Sequence, residues 1–214
     1  SRGLGDVYKR QLSTAYFAPV SYYASFLRYD RIVIEQWCNY TKQTYRNRCH
    51  IAGANGLLAL SVPIVKPDTI KCPTKDIRIS DHGEWRHLHW NAIASAYGSS
   101  PFFEYYQDDI RPFFEKRYEF LLDFNEEIRR TVCNLIGIEP HIEYSSSYSE
   151  PAPGETDLRD AIHPKKRKAE TILPVQPKPY YQVFSEKYGF QPDLSIIDLL
   201  MNIGPESILI LQNA

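Results

Sequence analysis

The chain has 214 residues, 25 Lys and Arg against 26 Asp and Glu for a formal charge of −1, and 43% hydrophobic residues. That balance belongs to an ordinary globular protein of one domain, or one domain with an appendage, and the length is ample for a sizeable core. With no basic excess, wholesale binding to a nucleic-acid backbone is disfavoured, since that mode needs clustered cations to displace counterions.

No apolar run approaches the roughly 20 residues that span a bilayer, and no charged-then-apolar leader opens the chain, so no transmembrane segment and a cytoplasmic location are expected. Cys38, Cys49, Cys72 and Cys133 have neither C-x-x-C spacing nor a paired histidine motif, which points to reduced structural thiols and no metal site. Tyrosine is abundant, at 16. Its ring and hydroxyl suit polar concave sites as well as mixed cores.

Residues 1–11 lack an initiator Met, and the stretch from Asp6 to Gln11 resembles one reading frame of a transposon adapter. They are expected to be a non-native tail outside the fold, so that a chain starting at Leu12 keeps its structure. From Leu12 to Phe17 the sequence reads as a short buried strand. Pro19 then opens a helical spacing of Tyr22, Tyr23, Phe26 and Leu27, and the β-branched run from Arg31 to Glu35 follows. Strand, helix and strand in so short a span predict a parallel pair.

Two runs, Tyr45 to Ile51 and Leu57 to Ile64, flank Gly53-Ala54-Asn55-Gly56, a hairpin signal in which Asn-Gly supplies the positive φ angles. Period two places Arg46, Arg48 and His50 on one strand face. Asp76 to Ile79 is a further possible strand. Helices are expected from Glu84 to Tyr97, with Trp85, Leu88, His89, Ala92, Ile93 and Ala96 on one stripe, from Phe102 to Lys116, and from Asp123 to Ile136 with a stop at Gly137. Ile138 to Tyr144 returns to the sheet. Ser145 to Pro179 is rich in Pro and Ser and carries Lys165-Lys166-Arg167-Lys168 offset by nearby acids, which reads as a solvated loop or arm. Residues 180–214 form a C-terminal helical part, with a helix from Ser195 to Gly204. The fold class is therefore α/β, a mixed sheet from a strand–helix–strand unit plus a hairpin, followed by several helices.

The segment from Trp37 to His50 gathers Tyr40, Lys42, Arg46, Asn47 and Arg48. Guanidinium forks bind phosphate or carboxylate bidentately, and two arginines two apart on a strand converge on one anion. The alternative is a water-facing polar strand surface. His87 and His89 splay about 200° apart on a helix and do not share a metal. His89, beside Trp85 on the apolar stripe, is either a satisfied core histidine or the general base. Asp198, three residues after Ser195, is either half of a capping box or a catalytic carboxylate. No G-x-S-x-G, phosphate-binding glycine loop or G-x-G-x-x-G is present, so serine hydrolases, P-loop enzymes and Rossmann dehydrogenases are disfavoured, and the cofactor is left open.

Taken in order, Tyr16-Phe17, Tyr22-Tyr23, Asp30, Tyr40-x-Lys42, Arg46-Asn47-Arg48-x-x-Ile51, Gly56, Leu60-x-Val62-Pro63, Trp85-x-x-x-His89, Tyr97-x-x-x-Pro101-x-Phe103, Tyr181-Gln182 and the run from Leu194 to Gly204 resemble the WbqC-like protein family. The usual opening Gln-Pro is replaced by Ser13-Thr14, Ala18 stands at a usual proline, and Ser145 to Pro179 has no counterpart. The resemblance implies a bacterial protein of O-antigen and polysaccharide biosynthesis, with proposed transfer of glycine or another acyl group to an amino sugar.

The leading expectation is thus a transferase whose partner is a phosphorylated, nucleotide-linked or lipid-linked sugar. Arg46, Arg48 and Lys42 would hold its anion, Asn47 would orient it, Tyr40 and Trp85 would line the pocket, and His89 and Asp198 would be catalytic. Two alternatives are a nucleotide-handling α/β enzyme with its anion at the start of the Pro19 helix, and a non-enzymatic scaffold presenting exposed aromatics. A transferase site predicts that Arg46, Arg48, His89 and Asp198 converge in one concavity; a scaffold predicts that they scatter.

Overall fold

The computed structural model of the chain describes residues 9–150, 156–165 and 177–214. Strand β1 (Lys9–Ser13), helix α1 (Val20–Arg28) and strand β2 (Arg31–Glu35) form the expected unit, and the strands pair in parallel with Leu12 opposite Ile34 and Ser13 opposite Glu35. β1 starts at Lys9 rather than Leu12. Gln11 is 1% exposed, so residues 9–11, expected outside the fold, are sheet residues.

Two more strands complete this sheet. β5 (Ile142–Tyr144), inside the stretch expected to return to the sheet, runs parallel to β2, and the two-residue β6 (Thr156–Asp157) runs parallel to β1 on its far side. The segment expected as a solvated arm therefore contributes a strand, followed by buried Leu158 and Arg159. Its Lys166-Arg167-Lys168 lies outside the described residues.

The hairpin of β3 (Arg48–Gly53) and β4 (Gly56–Ser61) is a two-stranded sheet of its own, so the parallel and antiparallel parts of the α/β fold are separate. Gly56, at φ 103°, takes the positive φ of the turn. Asp76 to Ile79, expected as a strand, holds the end of a 3₁₀ turn and single antiparallel bridges, Ile64 with Ile79 and Arg78 with Phe120.

The helices α2 (Trp85–Tyr97), α3 (Phe103–Ile110) and α4 (Leu121–Ile136) cover the middle of the chain. In α4, Leu121, Phe124, Ile128 and Val132 are fully buried, the i, i+3, i+7 stripe of a core-facing helix. Gly137 stops it in the left-handed region, φ 81°, with its N–H on the Cys133 and Asn134 carbonyls. Leu88, expected on the α2 stripe, is 60% exposed, because Trp85, His89, Ile93 and Ala96 already define a buried face that it flanks. The C-terminal part has α5 (Ser185–Tyr188), α6 (Ile196–Ile203) and α7 (Ser207–Gln212), and α1 packs on α6 and α7. No helix among the described residues is long and apolar enough to cross a membrane.

An aromatic cluster joins the layers. Tyr16 stacks on Phe124 at 5.7 Å and Phe17 on Phe114 at 5.9 Å. Phe17 sits at φ 37°, a conformation costing about 1–3 kcal/mol for a non-glycine, held by complete burial of its ring. This bend carries the chain off the end of β1 into α1 and shapes the edge described next.

Candidate functional site

In an open parallel sheet, loops diverge where the strand order reverses and leave a crevice beyond the carboxyl ends of the strands. Here β1, β2 and β5 are laid down in one direction, and β6 returns to the other side of β1. The reversal therefore falls between β1 and β6. A nearly filled crevice of about 10 Å³ lies there, lined among others by Ser13, Thr14, Tyr45, Arg46, Leu158 and Arg159. It meets a cavity of about 520 Å³ that shares Arg46 and Arg159 and adds Trp37, Tyr148, Asp157 and Asp160.

Arg46 is the unusual member. It is 6% exposed and sits on the turn before β3, where Asn125 Nδ2 in α4 donates to its carbonyl at 2.8 Å and its own N–H donates to Thr44 Oγ1 at 3.3 Å. Among the described residues the guanidinium itself makes only long contacts, Nη1 to Thr44 Oγ1 at 3.4 Å and Nη2 to Cys38 Sγ at 3.5 Å. Its Nε, the Ser13 Oγ and the Thr14 Oγ1 are buried with no protein partner among the described residues. Taking a cation out of water costs several kcal/mol unless it is paired. The crevice that holds the two hydroxyls has room for about one water, so an anion would meet the Arg46 guanidinium from the larger cavity.

Arg159 is held differently. Its Nε and Nη2 grip the two Asp157 oxygens at 2.9 and 2.7 Å, with Glu150 at 3.7 Å. Burial raises the Asp157 carboxyl, and the Arg159 hydrogen bonds outweigh this, holding it below its ordinary value. One wall is fixed by Glu35, whose Oε1 accepts from Trp37 N at 2.7 Å and Ser145 Oγ at 2.9 Å.

The residues expected from sequence disperse. Arg46 and Arg48 do not share a strand face, because Tyr45 and Arg46 form a turn and period-two alternation begins only at Arg48. Arg48 and His50 line a second cavity, with Gln43, Leu57 and Phe190. Tyr40 is half-buried; burial pushes its phenol up to about 12 against the pull of both Arg46 and Arg48. Lys42 is exposed and lines neither cavity. Asn47 Nδ2 donates to the Val62 carbonyl at 2.9 Å, a clamp on the hairpin. Trp85 is a core residue whose Nε1 donates to the Ser80 carbonyl at 2.9 Å.

His89 is buried among Trp85, Tyr16 and Phe114, with Nδ1 2.8 Å from Tyr16 Oη. Burial lowers its pKa to about 4, opposed by a hydrogen bond to the Ser61 backbone. That is a neutral imidazole with its ring committed to the core. Asp198 is 1% exposed; Oδ1 accepts from Tyr97 Oη at 2.9 Å, and Oδ2 from Tyr180 Oη at 2.8 Å and Gln182 Nε2 at 2.9 Å. The capping-box reading fails as well. Ser195 Oγ caps α6 through Ile197 N, while the Ser195 N–H goes to the His50 carbonyl and the Asp198 side chain goes elsewhere. Neither His89 nor Asp198 lines the cavities that hold the two arginines. The start of the Pro19 helix is also occupied, since Asp193 accepts from the Ser21 N–H at 2.8 Å and Ser21 Oγ at 2.9 Å.

Ser13, Thr14, Asp157, Arg159 and Asp160 line the candidate crevice and its cavity, Asn125 holds the Arg46 turn, and the sequence reading had singled out none of them for the site. The available signal was Leu158 and Ile162, an apolar pair four apart inside a polar segment, both buried.

Fold and site together describe an α/β protein with a polar, cation-bearing crevice at the carboxyl edge of its parallel sheet. The model of the WbqC-like protein family matches residues 14–210, and the chain belongs to that family. It is similar to the uncharacterized protein Rv1507c of Mycobacterium tuberculosis, 25% identical over 214 residues that cover 90% of this chain and 89% of that protein. No solved structure matches significantly.

Proposed function

We propose that the protein is a group transferase of bacterial surface-glycan precursor modification, acting on a phosphorylated, nucleotide-linked or lipid-linked sugar. The chemistry proposed is transfer of an acyl or aminoacyl group, such as glycine, to an amino sugar. Family membership supports the setting. One observation carries the chemistry: a 94% buried Arg46, from its 6% exposure, has no carboxylate partner among the described residues and lines a cavity of about 520 Å³.

In this reading Arg46, on the wall of the larger cavity, holds the phosphate or the donor's carbonyl oxygen, and a positioned cation stabilises charge developing there. Trp37 and Tyr148 cover the apolar faces of the sugar. Glu150 and Asp157 both lie against Arg159, whereas Asp160 forms no ion pair with a described residue. Asp160 then accepts the proton of the acceptor amine as its nitrogen attacks the acyl carbonyl carbon and the donor oxygen leaves with its electron pair. His89 and Asp198, expected as catalytic, take structural roles because their polar atoms are engaged within the core.

The scattering of Arg46, Arg48, His89 and Asp198 is the outcome expected of a scaffold. A scaffold, however, presents an exposed aromatic patch, and two cavities of about 520 and 530 Å³ support a ligand-binding protein instead. The test is a thermal-shift panel of nucleotide-sugars, sugar phosphates, acyl and aminoacyl donors and divalent ions. At least one sugar phosphate or nucleotide-sugar is expected to raise the midpoint by several degrees, and a panel without any shift refutes the reading.

A further inference from the structure

The segment from Thr41 to Arg48 separates two cavities. Thr41 and Arg46 line the one described above, and Gln43 and Arg48 line the other, which has a volume of about 530 Å³. The second cavity has a distinct chemistry. Arg48, His50 and Lys165 bring basic groups, none of its described lining residues is acidic, and Leu57, Phe190 and Pro192 supply apolar walls. Arg48 is held by one edge, its Nε donating to Ser61 Oγ at 2.9 Å, and its two terminal nitrogens have no partner among the described residues. His50 is 8% exposed and packs edge-on against Tyr45 at 5.8 Å.

We infer that this cavity is a second binding site, selective for an amphiphilic anion: a phosphate or carboxylate carrying an apolar chain. A cationic rim over apolar walls favours that class over a bare anion, which gains nothing from the walls, and over a neutral chain, which gains nothing from the cations. The site is independent of Arg46 and does not rest on the transferase reading. Within that reading it would seat the apolar-anchored one of two substrates.

Calorimetric titration with octyl phosphate, below its micellar range, tests the site. Inorganic phosphate supplies the anion without the chain, and octyl glucoside the chain without the anion. Octyl phosphate is expected to bind once per chain and at least tenfold tighter than either control. Arg48→Met is expected to weaken it at least tenfold, Lys165→Met severalfold, and Arg46→Met by less than twofold. Equal binding of octyl glucoside would show a merely greasy surface and overturn the proposal. Loss of octyl phosphate binding in Arg46→Met would place the ligand in the other cavity and overturn it equally. Lys165 is exposed, so Lys165→Met decides the matter if Arg48→Met does not fold; unchanged affinity in that folded variant also counts against the site.

Discussion

Arg46 and Arg159 line the same cavity, but they are in opposite electrostatic states: Asp157 neutralises Arg159 at 2.7 Å, while Arg46 forms no ion pair with a described residue. Among the described residues Arg46 is therefore an unpaired cation in a cavity whose lining also carries the Glu150 and Asp160 carboxylates. A guanidinium so placed lowers stability until an anion arrives, an exchange of stability for binding that is common at functional sites.

The position of Arg46 depends on Asn125, which is 0% exposed and donates to the Arg46 carbonyl. Asn125→Ala leaves that carbonyl without its donor and is expected to lower stability by about 1–3 kcal/mol. It should also weaken any ligand held by Arg46, because the turn is no longer pinned. Urea unfolding and ligand titration of the one variant read both effects.

His89 gives the fold a dependence on pH. Its folded pKa is lowered to about 4 by burial, from an ordinary 6.5, so the unfolded chain binds a proton first as the pH falls. Its contribution is complete above about pH 6.5 and is lost as the pH falls toward 4. His89→Gln, which lacks the titration, is expected to show a flatter decline in melting temperature across that window than the parent chain. Parallel curves would contradict the buried neutral imidazole.

For Asp198 the structural and catalytic roles separate cleanly. Asp198→Asn turns an amide NH₂ toward the donors that now meet a carboxylate, and Gln182 Nε2 cannot reverse its role. A loss of about 2–4 kcal/mol is expected from the unsatisfied buried network. Ligand affinity at the Arg46 cavity should be unchanged once the comparison is made well below the new melting point.

Trimming the N-terminus tests the strand assignment. Lys9, Arg10 and Gln11 pair with Arg31, Ile32 and Val33, and Arg10 and Gln11 also pair with Thr156 and Asp157. A chain starting at Lys9, which keeps the whole of β1, is the reference. One starting at Leu12 is expected to lose on the order of 1–3 kcal/mol as these backbone bonds disappear. Equal stability of the two would return residues 9–11 to the status of a dispensable tail.

Much of the fold was legible because it is written in local periodicity. The α4 stripe of Phe124, Ile128 and Val132, the β2 run from Arg31 to Glu35 and the Gly53–Gly56 hairpin each declare themselves within one element. The site was less legible because it is assembled by topology. Arg46 was found from its charge, but its neighbours Ser13 and Arg159 lie 146 positions apart and meet only because β6 returns beside β1. Period two failed at Arg46 for a local reason, a turn where a strand was expected. His89 and Asp198 were ambiguous because a polar residue on an apolar stripe looks the same whether it faces a substrate or a buried tyrosine.

The most direct test is the thermal unfolding of Arg46→Met, alone and with a sugar phosphate or nucleotide-sugar that stabilises the parent chain. An uncompensated buried cation predicts that the unliganded variant melts at the same temperature as the parent or above it, and that the ligand no longer shifts it. A variant that melts well below the parent, yet is still shifted in full by the ligand, would show Arg46 to be a structural residue and contradict the account.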